Sequence, residues 1–298
     1  MIPMGHTIFN LTRVFTKYYD CETRSIFVRC NTVFHWLIRF DSSLLRTKWF
    51  TTKRTSVRWS PMVKAELLKI PEKKLPCQIL IVAIGPAASG FVQSHLLTDD
   101  FQVVGALFSG LSDSDVNTFD QMSPADKNCY IYRSRQIPDV FMCLCKTDVS
   151  AEQSYSWTEQ LFSCISTASP HFYMSILCSY MTSEYRSEVP VSDMNPPFLR
   201  ALKTPRFAGT PLCPYLEQPN LVSGLPAQLL TYCQMKDVKA VLYVCYTDTL
   251  YLDTFTMEVF KPLVQSTPIK DVFQENKKAG EVMKHIVDIY SLKNSLYL

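Results

Sequence analysis

The 298-residue chain has no apolar run near the ~20 residues that a membrane-spanning helix needs, so no membrane insertion is expected. Its first thirty residues lack the apolar centre of a secretory signal, which predicts a chain kept out of disulfide-forming compartments. No CxxC pair occurs among its eleven cysteines. That spacing is the usual unit of zinc and dithiol redox sites, so no metal or redox centre is expected. Histidine is scarce: His6, His35, His95, His171 and His285, none within ligand spacing of another. The GxSxG and HExxH patterns of serine hydrolases and zinc proteases are absent, and there is no internal repeat.

What remains is a core-forming composition. Apolar residues make up 47% and charged residues 19%, which argues against global disorder. Most cysteines sit inside apolar runs, such as Cys143 and Cys145 in VFMCLC and Cys245 in VLYVCY. There they read as small buried hydrophobes, reduced, in a cytoplasmic protein. Endoplasmic-reticulum association and nuclear presence stay open as further locations. The net charge of +3 hides an asymmetry, because residues 1–60 hold ten Lys/Arg against three Asp/Glu, hence +7. Residues 1–70 show no clear periodicity and are expected to form a basic, poorly ordered extension. An organellar transit segment, or an arm for nucleic acid or a membrane surface, is the competing interpretation. No nucleic-acid partner is expected of the folded body. Asn10-Leu11-Thr12 fits a glycosylation sequon, which carries no weight without a secretory route.

Order is expected from near Leu75. Cys77–Ile84, Gln102–Phe108, Asp139–Cys145, Phe172–Tyr180 and Ala240–Tyr246 are continuous apolar runs of strand length, as for strands buried on both faces. Tyr130–Arg133 reads as a short edge strand. Helices are predicted over Pro86–Leu97, over Ala151–Ile165 behind a Ser150 cap, and over Pro226–Met235. Another follows Asp253 or Thr254, with Phe255, Val259, Leu263, Phe260 and Val264 as its apolar stripe. Tyr155, Leu161 and Phe162 share one face of the second helix, with Trp157 at its margin. Lys270–Tyr290 reads as one charged helix, or two broken near Gly280, with Val282, Ile286 and Ile289 inward. Residues 182–197 and 205–219 are polar or Pro-rich connections. Strands alternating with helices predict a single compact α/β domain over 71–298, its sheet mostly parallel or mixed and flanked by helices. A flexible tail over 292–298 is expected to follow.

Candidate chemistry is thin. Gly85-Pro-Ala-Ala-Ser-Gly90 follows a strand and opens a helix, but it is neither GxGxxG nor GxxxxGK[ST], and Pro86 removes a backbone donor. Close strand–helix packing is the simpler interpretation, and no cofactor is expected. Asp248 and Asp253 flank the turn after Ala240–Tyr246, where open α/β sheets bind ligands. Turn and cap chemistry competes with an active-site carboxylate there. The C-terminus is a different kind of site. Leu296, Tyr297 and Leu298 give a hydrophobic-Tyr-any ending with a free carboxylate on a polar stem, the type of segment that cationic pockets capture.

Several irregular strings carry a family resemblance. They are Pro197–Thr204 (PFLRALKT), Leu216–Val222 (LEQPNLV), Leu225–Ala227, Tyr232–Gln234, Ala240–Asp248 (AVLYVCYTD) and Glu258–Pro262 (EVFKP). The chain resembles the proteasome assembly chaperone 1 family from about Pro76 onward, with nothing carried over to residues 1–60. The resemblance implies an α/β fold and no enzyme activity. It implies a heterodimer with the second proteasome assembly chaperone that binds α-type subunits of the 20S proteasome. That complex would promote α-ring formation and prevent off-pathway ring dimerisation, with Leu296, Tyr297 and Leu298 as a docking tail. The alternative is a small α/β enzyme of nucleoside or phosphoester type with Asp248 near its active site.

Overall fold

The computed structural model describes residues 16–20, 25–29, 54–111, 129–147, 149–187, 190–273 and 276–295. The chain forms two units, Met1–Thr52 and Lys53–Leu298. In the first, β1 (Thr16–Asp20) and β2 (Ser25–Arg29) pair antiparallel with Thr16 opposite Arg29. Most of the expected N-terminal extension lies outside the described residues.

The second unit is built on eight strands. These are β3 (Arg54–Trp59), β4 (Ile79–Ile84), β5 (Phe101–Leu111), β6 (Cys129–Ser134), β7 (Val140–Cys145), β8 (Tyr173–Met181), β9 (Phe198–Lys203) and β10 (Ala240–Thr247). Their order across the sheet is β3-β5-β6-β7-β4-β8-β10-β9. The four central strands, β7, β4, β8 and β10, run parallel. The flanking pairs are antiparallel, so the sheet is mixed.

Every residue of β4, β7 and β10 is buried, the pattern of strands covered on both faces. Successive side chains alternate between two separate cores. Leu80, Val82, Phe141, Ile176 and Leu242 join helices α1 (Pro61–Lys69), α3 (Ala151–Cys164) and α4 (Gly224–Met235) on one side. Ile81, Met142, Leu177 and Tyr243 join α2 (Pro86–Phe91), α5 (Thr254–Glu258), α6 (Ile269–Val272) and α7 (Ala279–Ser295) on the other. The result is a helix–sheet–helix sandwich.

Several expectations shift. Ordered structure starts ahead of Leu75. Ser60 caps α1 through its Oγ, which accepts from the Val63 N–H at 3.5 Å, and Glu66 on α1 pairs with Arg133 of β6. These elements carry Arg, Thr and Ser at the sheet margin, hence no continuous apolar run. Tyr130–Arg133 is part of an interior strand, since β6 lies between β5 and β7. Tyr130 and Tyr132 are only half-buried and the buried Arg133 is paired with Glu66, so the run lacks the unbroken apolar pattern of β4 and β7. On α3, Trp157 sits at the centre of the buried face and Tyr155 points to solvent. The helix read over Pro86–Leu97 is α2 plus one π turn at Val92–Leu96. The charged C-terminal stretch breaks before Ala279, with Gly280 inside α7, and Met283 and Ile286 face inward while Ile289 is exposed. Phe198–Lys203, within the Pro-flanked connections, forms the edge strand β9.

The close packing expected after β4 is present. Ala87–Phe91 are all buried, and a Cβ added at Gly90 would collide with the Met257 Sδ of α5. Trp157 is fully buried, with its indole N–H unpartnered. Trp157→Ala is expected to lower unfolding stability by about 3–5 kcal/mol. Trp157→Phe, which removes the unpartnered donor and keeps most of the ring, should cost much less. Denaturant melts of both variants check the difference.

Candidate functional site

Parallel strands align their carboxyl ends, and here those ends open into a cleft of about 600 Å³. Ile84, Met181 and Thr247, the last residues of β4, β8 and β10, lie in its wall. The Gly85–Pro86 turn, the start of α4 at Gly224–Pro226, the loop from Thr249 to Leu252 and Tyr290 of α7 complete it. Gly85 has φ of 86°, a conformation that favours glycine, and it turns β4 directly into α2.

The loop after β10 is held from below by a chain of hydroxyls. Thr247 Oγ1 lies 3.0 Å from Thr249 Oγ1 and 3.2 Å from Thr256 Oγ1. Thr249 Oγ1 donates to Asp253 Oδ2 at 3.2 Å, while Asp253 Oδ1 accepts from the Thr256 N–H at 2.6 Å and caps α5. That satisfied base presents Leu250 at 82% exposure and Tyr251 at 73% on the rim, with Phe255 at 66% on α5. Phe255 therefore leaves the stripe expected to bury it. Phe260, Leu263 and Val264 supply the buried contacts instead.

The chemistry available in the wall is limited. Glu184 is its one charged side chain among the described residues, and no Lys or Arg lines it. Burial drives the Cys178 thiol far up, so it is no thiolate nucleophile. Burial, with a smaller push from Cys178, raises the Tyr180 phenol to about 12, and its OH donates to the Ser223 carbonyl at 2.9 Å. Burial also raises Tyr290. Among the described residues, no group of three His, Cys, Asp or Glu is placed to hold a metal.

The candidates from sequence fall apart in space. Asp248 is exposed at the end of β10 and is not among the residues of the cleft wall. Asp253 is a cap. The Gly85–Gly90 turn forms part of the wall, yet it is spent on packing α2 against the sheet. Leu296, Tyr297 and Leu298 lie outside the described residues. Their stem does not: α7 carries Tyr290 into the cleft wall and ends at Ser295, about 8 Å further along its axis at ~1.5 Å per residue. Leu292, 65% exposed, lies between them. Sequence reasoning missed the rim. Its only signal is the apolar triplet Leu250-Tyr251-Leu252 inside an otherwise polar turn.

Buried thiols give a pH signature. Burial holds Cys233, and Cys245 with a smaller push from Asp253, near about 12 against an ordinary 9.0. The unfolded chain therefore releases these protons first as pH rises. Stability is expected to hold below pH 9 and to fall between 9 and about 12. Thermal melts across that range check this. Among the described cysteines, Cys164 and Cys213 should be the first to react with a thiol reagent, since the others are buried. Cys213, raised by burial to about 11, should label faster as pH rises toward that value. Mass spectrometry of the labelled peptides reads both.

The family model described as proteasome assembly chaperone 4 matches residues 42–298. Proteasome assembly chaperone 1 of Xenopus laevis is 32% identical over 248 residues, covering 83% of this chain and 85% of that protein. Proteasome assembly chaperone 1 of Homo sapiens is 33% identical over 228 residues, 76% of this chain and 78% of its own length. The crystal structure of Pyrococcus furiosus PbaB, an archaeal proteasome activator, superposes at a TM-score of 0.49 and 12% identity, over 83% of this chain and 100% of that one.

Proposed function

The chain belongs to the proteasome assembly chaperone 1 family, and from that premise we propose that it acts by binding, as one half of a heterodimer with the second assembly chaperone. The pair binds α-type subunits of the 20S proteasome, promotes α-ring formation and prevents off-pathway ring dimerisation. This reading carries with it a cytoplasmic location. Leu296, Tyr297 and Leu298 are its anchor on the ring, an aromatic side chain beside a free carboxylate.

Family membership is the observation that carries this reading. The cleft supports it. Its wall offers one carboxylate and a run of hydroxyls that bond one another, while its rim presents large apolar side chains to solvent. Exposed apolar rims of this kind suit protein contact. A three-residue tail also binds weakly alone, given the ceiling on energy per ligand atom, and needs a second contact to hold.

The test is affinity capture with the full-length chain, co-expressed with the second assembly chaperone and α-type subunits. Both should be retained. Removing Leu296–Leu298 should weaken retention of the α-type subunits about tenfold or more and leave the chaperone pair intact. Asp248→Asn should change neither. Full retention without the tail would discard the anchor, and failure to retain any α-type subunit would discard the function.

A further inference from the structure

We propose that the cleft at the carboxyl ends of β4, β8 and β10 is the second docking point for the same subunit that receives the tail. Its occupant is a segment that places an apolar side chain between the rim and the wall and a lysine or arginine beside Glu184. The inference rests on the function proposed above and names the chemistry of that contact.

Three observations lead to it. The first is shape. A concave space of about 600 Å³, within the range of ligand-sized sites, is fronted by the exposed Leu250 and Tyr251. The hydroxyl chain from Thr247 to Asp253 fixes the loop that carries them, so little ordering is left to be done on binding.

The second is charge. Glu184 is exposed, is the single charged side chain of the wall, and makes no salt bridge among the described residues. The cleft therefore repels the terminal carboxylate of the chain's own tail and favours a cation. Tyr180, Tyr251 and Tyr290 in the same wall add aromatic faces that attract an ammonium or guanidinium group.

The third is continuity. α7 contributes Tyr290 to the wall and ends at Ser295, so the point from which the tail departs lies close to the cleft on the same helix. Two weak contacts joined by a short tether act at high effective concentration, a gain on the order of 10²–10⁴ over either alone.

The experiment measures affinity of the full-length chain, in its chaperone pair, for purified α-type subunits. Five forms are compared: wild type, Leu250→Ser with Tyr251→Ser, Glu184→Lys, Glu184→Gln, and the chain lacking Leu296–Leu298. The rim variant and Glu184→Lys should each weaken binding about tenfold or more with the tail present. Glu184→Gln should fall between Glu184→Lys and wild type. Raising salt should weaken wild type more than Glu184→Gln, because an ion pair is being screened. These side chains are exposed, so melting temperature and cysteine protection should match wild type. If the rim variant fails that check, the Glu184 variants decide alone.

Wild-type affinity in both the rim and Glu184→Lys variants, with loss on tail removal, overturns the cleft contact and leaves the assembly function standing. Tighter binding after tail removal would make the tail the cleft's occupant. Self-association abolished by the rim variant, with α-subunit binding unchanged, would make the occupant a second copy. Either overturns the proposal. No binding by wild type overturns this contact and the function together.

Discussion

A sheet with no exposed residue on β4, β7 or β10 has to be roofed on both sides, and the rest of the molecule follows from that demand. Each fully buried Leu, Ile, Val or Phe contributes on the order of 1.5–3 kcal/mol relative to exposure, and the alternation of side chains divides that burial between two separate cores. One core draws on α1, α3 and α4. The other draws on α2 and the chain after β10. Parallel pairing of the buried strands also brings their carboxyl ends to one edge. The cleft is thus a by-product of the packing, placed where several helix starts and loops diverge.

What occupies that edge decides its use. In an enzyme the polar groups there would converge on a reacting atom, with a base oriented by a third group. Here the hydroxyls of Thr247, Thr249 and Thr256 are engaged with one another and with Asp253, so their work is to shape a loop. The loop's product is an apolar rim with a rigid base. Rigid presentation lowers the ordering cost of association, and that cost separates weak contacts from useful ones.

The central strands were legible because two-sided burial writes itself as an unbroken apolar run: ILIVAI, VFMCLC, AVLYVCY. Margins were less legible. β3 and β9 carry Arg, Ser and Lys and are stabilised by one neighbour and by specific partners. Arg200 of β9, for example, donates to Glu217 and lies over the rings of Phe198 and Tyr185. Such partners are far away in sequence and leave no periodic trace. Helix phase failed for a related reason. Trp157 and Tyr155 are two residues apart, and composition alone does not say which faces the sheet. At the site, Asp253 was readable as a cap from its position before α5. Leu250 and Tyr251 were not, because a rim is defined by what surrounds it in space.

The pairing of Glu66 with Arg133 links the first helix of the sheet unit to an interior strand. Arg133 is buried, stacks over Phe141, and donates through Nε to the Pro138 carbonyl at 2.6 Å. Replacing Glu66 by Ala would keep the guanidinium in place and delete its counter-charge. Because the Glu66 side chain is 36% exposed and Arg133 retains the Pro138 carbonyl, the cost falls below the roughly 3–5 kcal/mol of breaking a fully buried pair, yet it remains a tangible share of the ~5–15 kcal/mol that holds a domain folded.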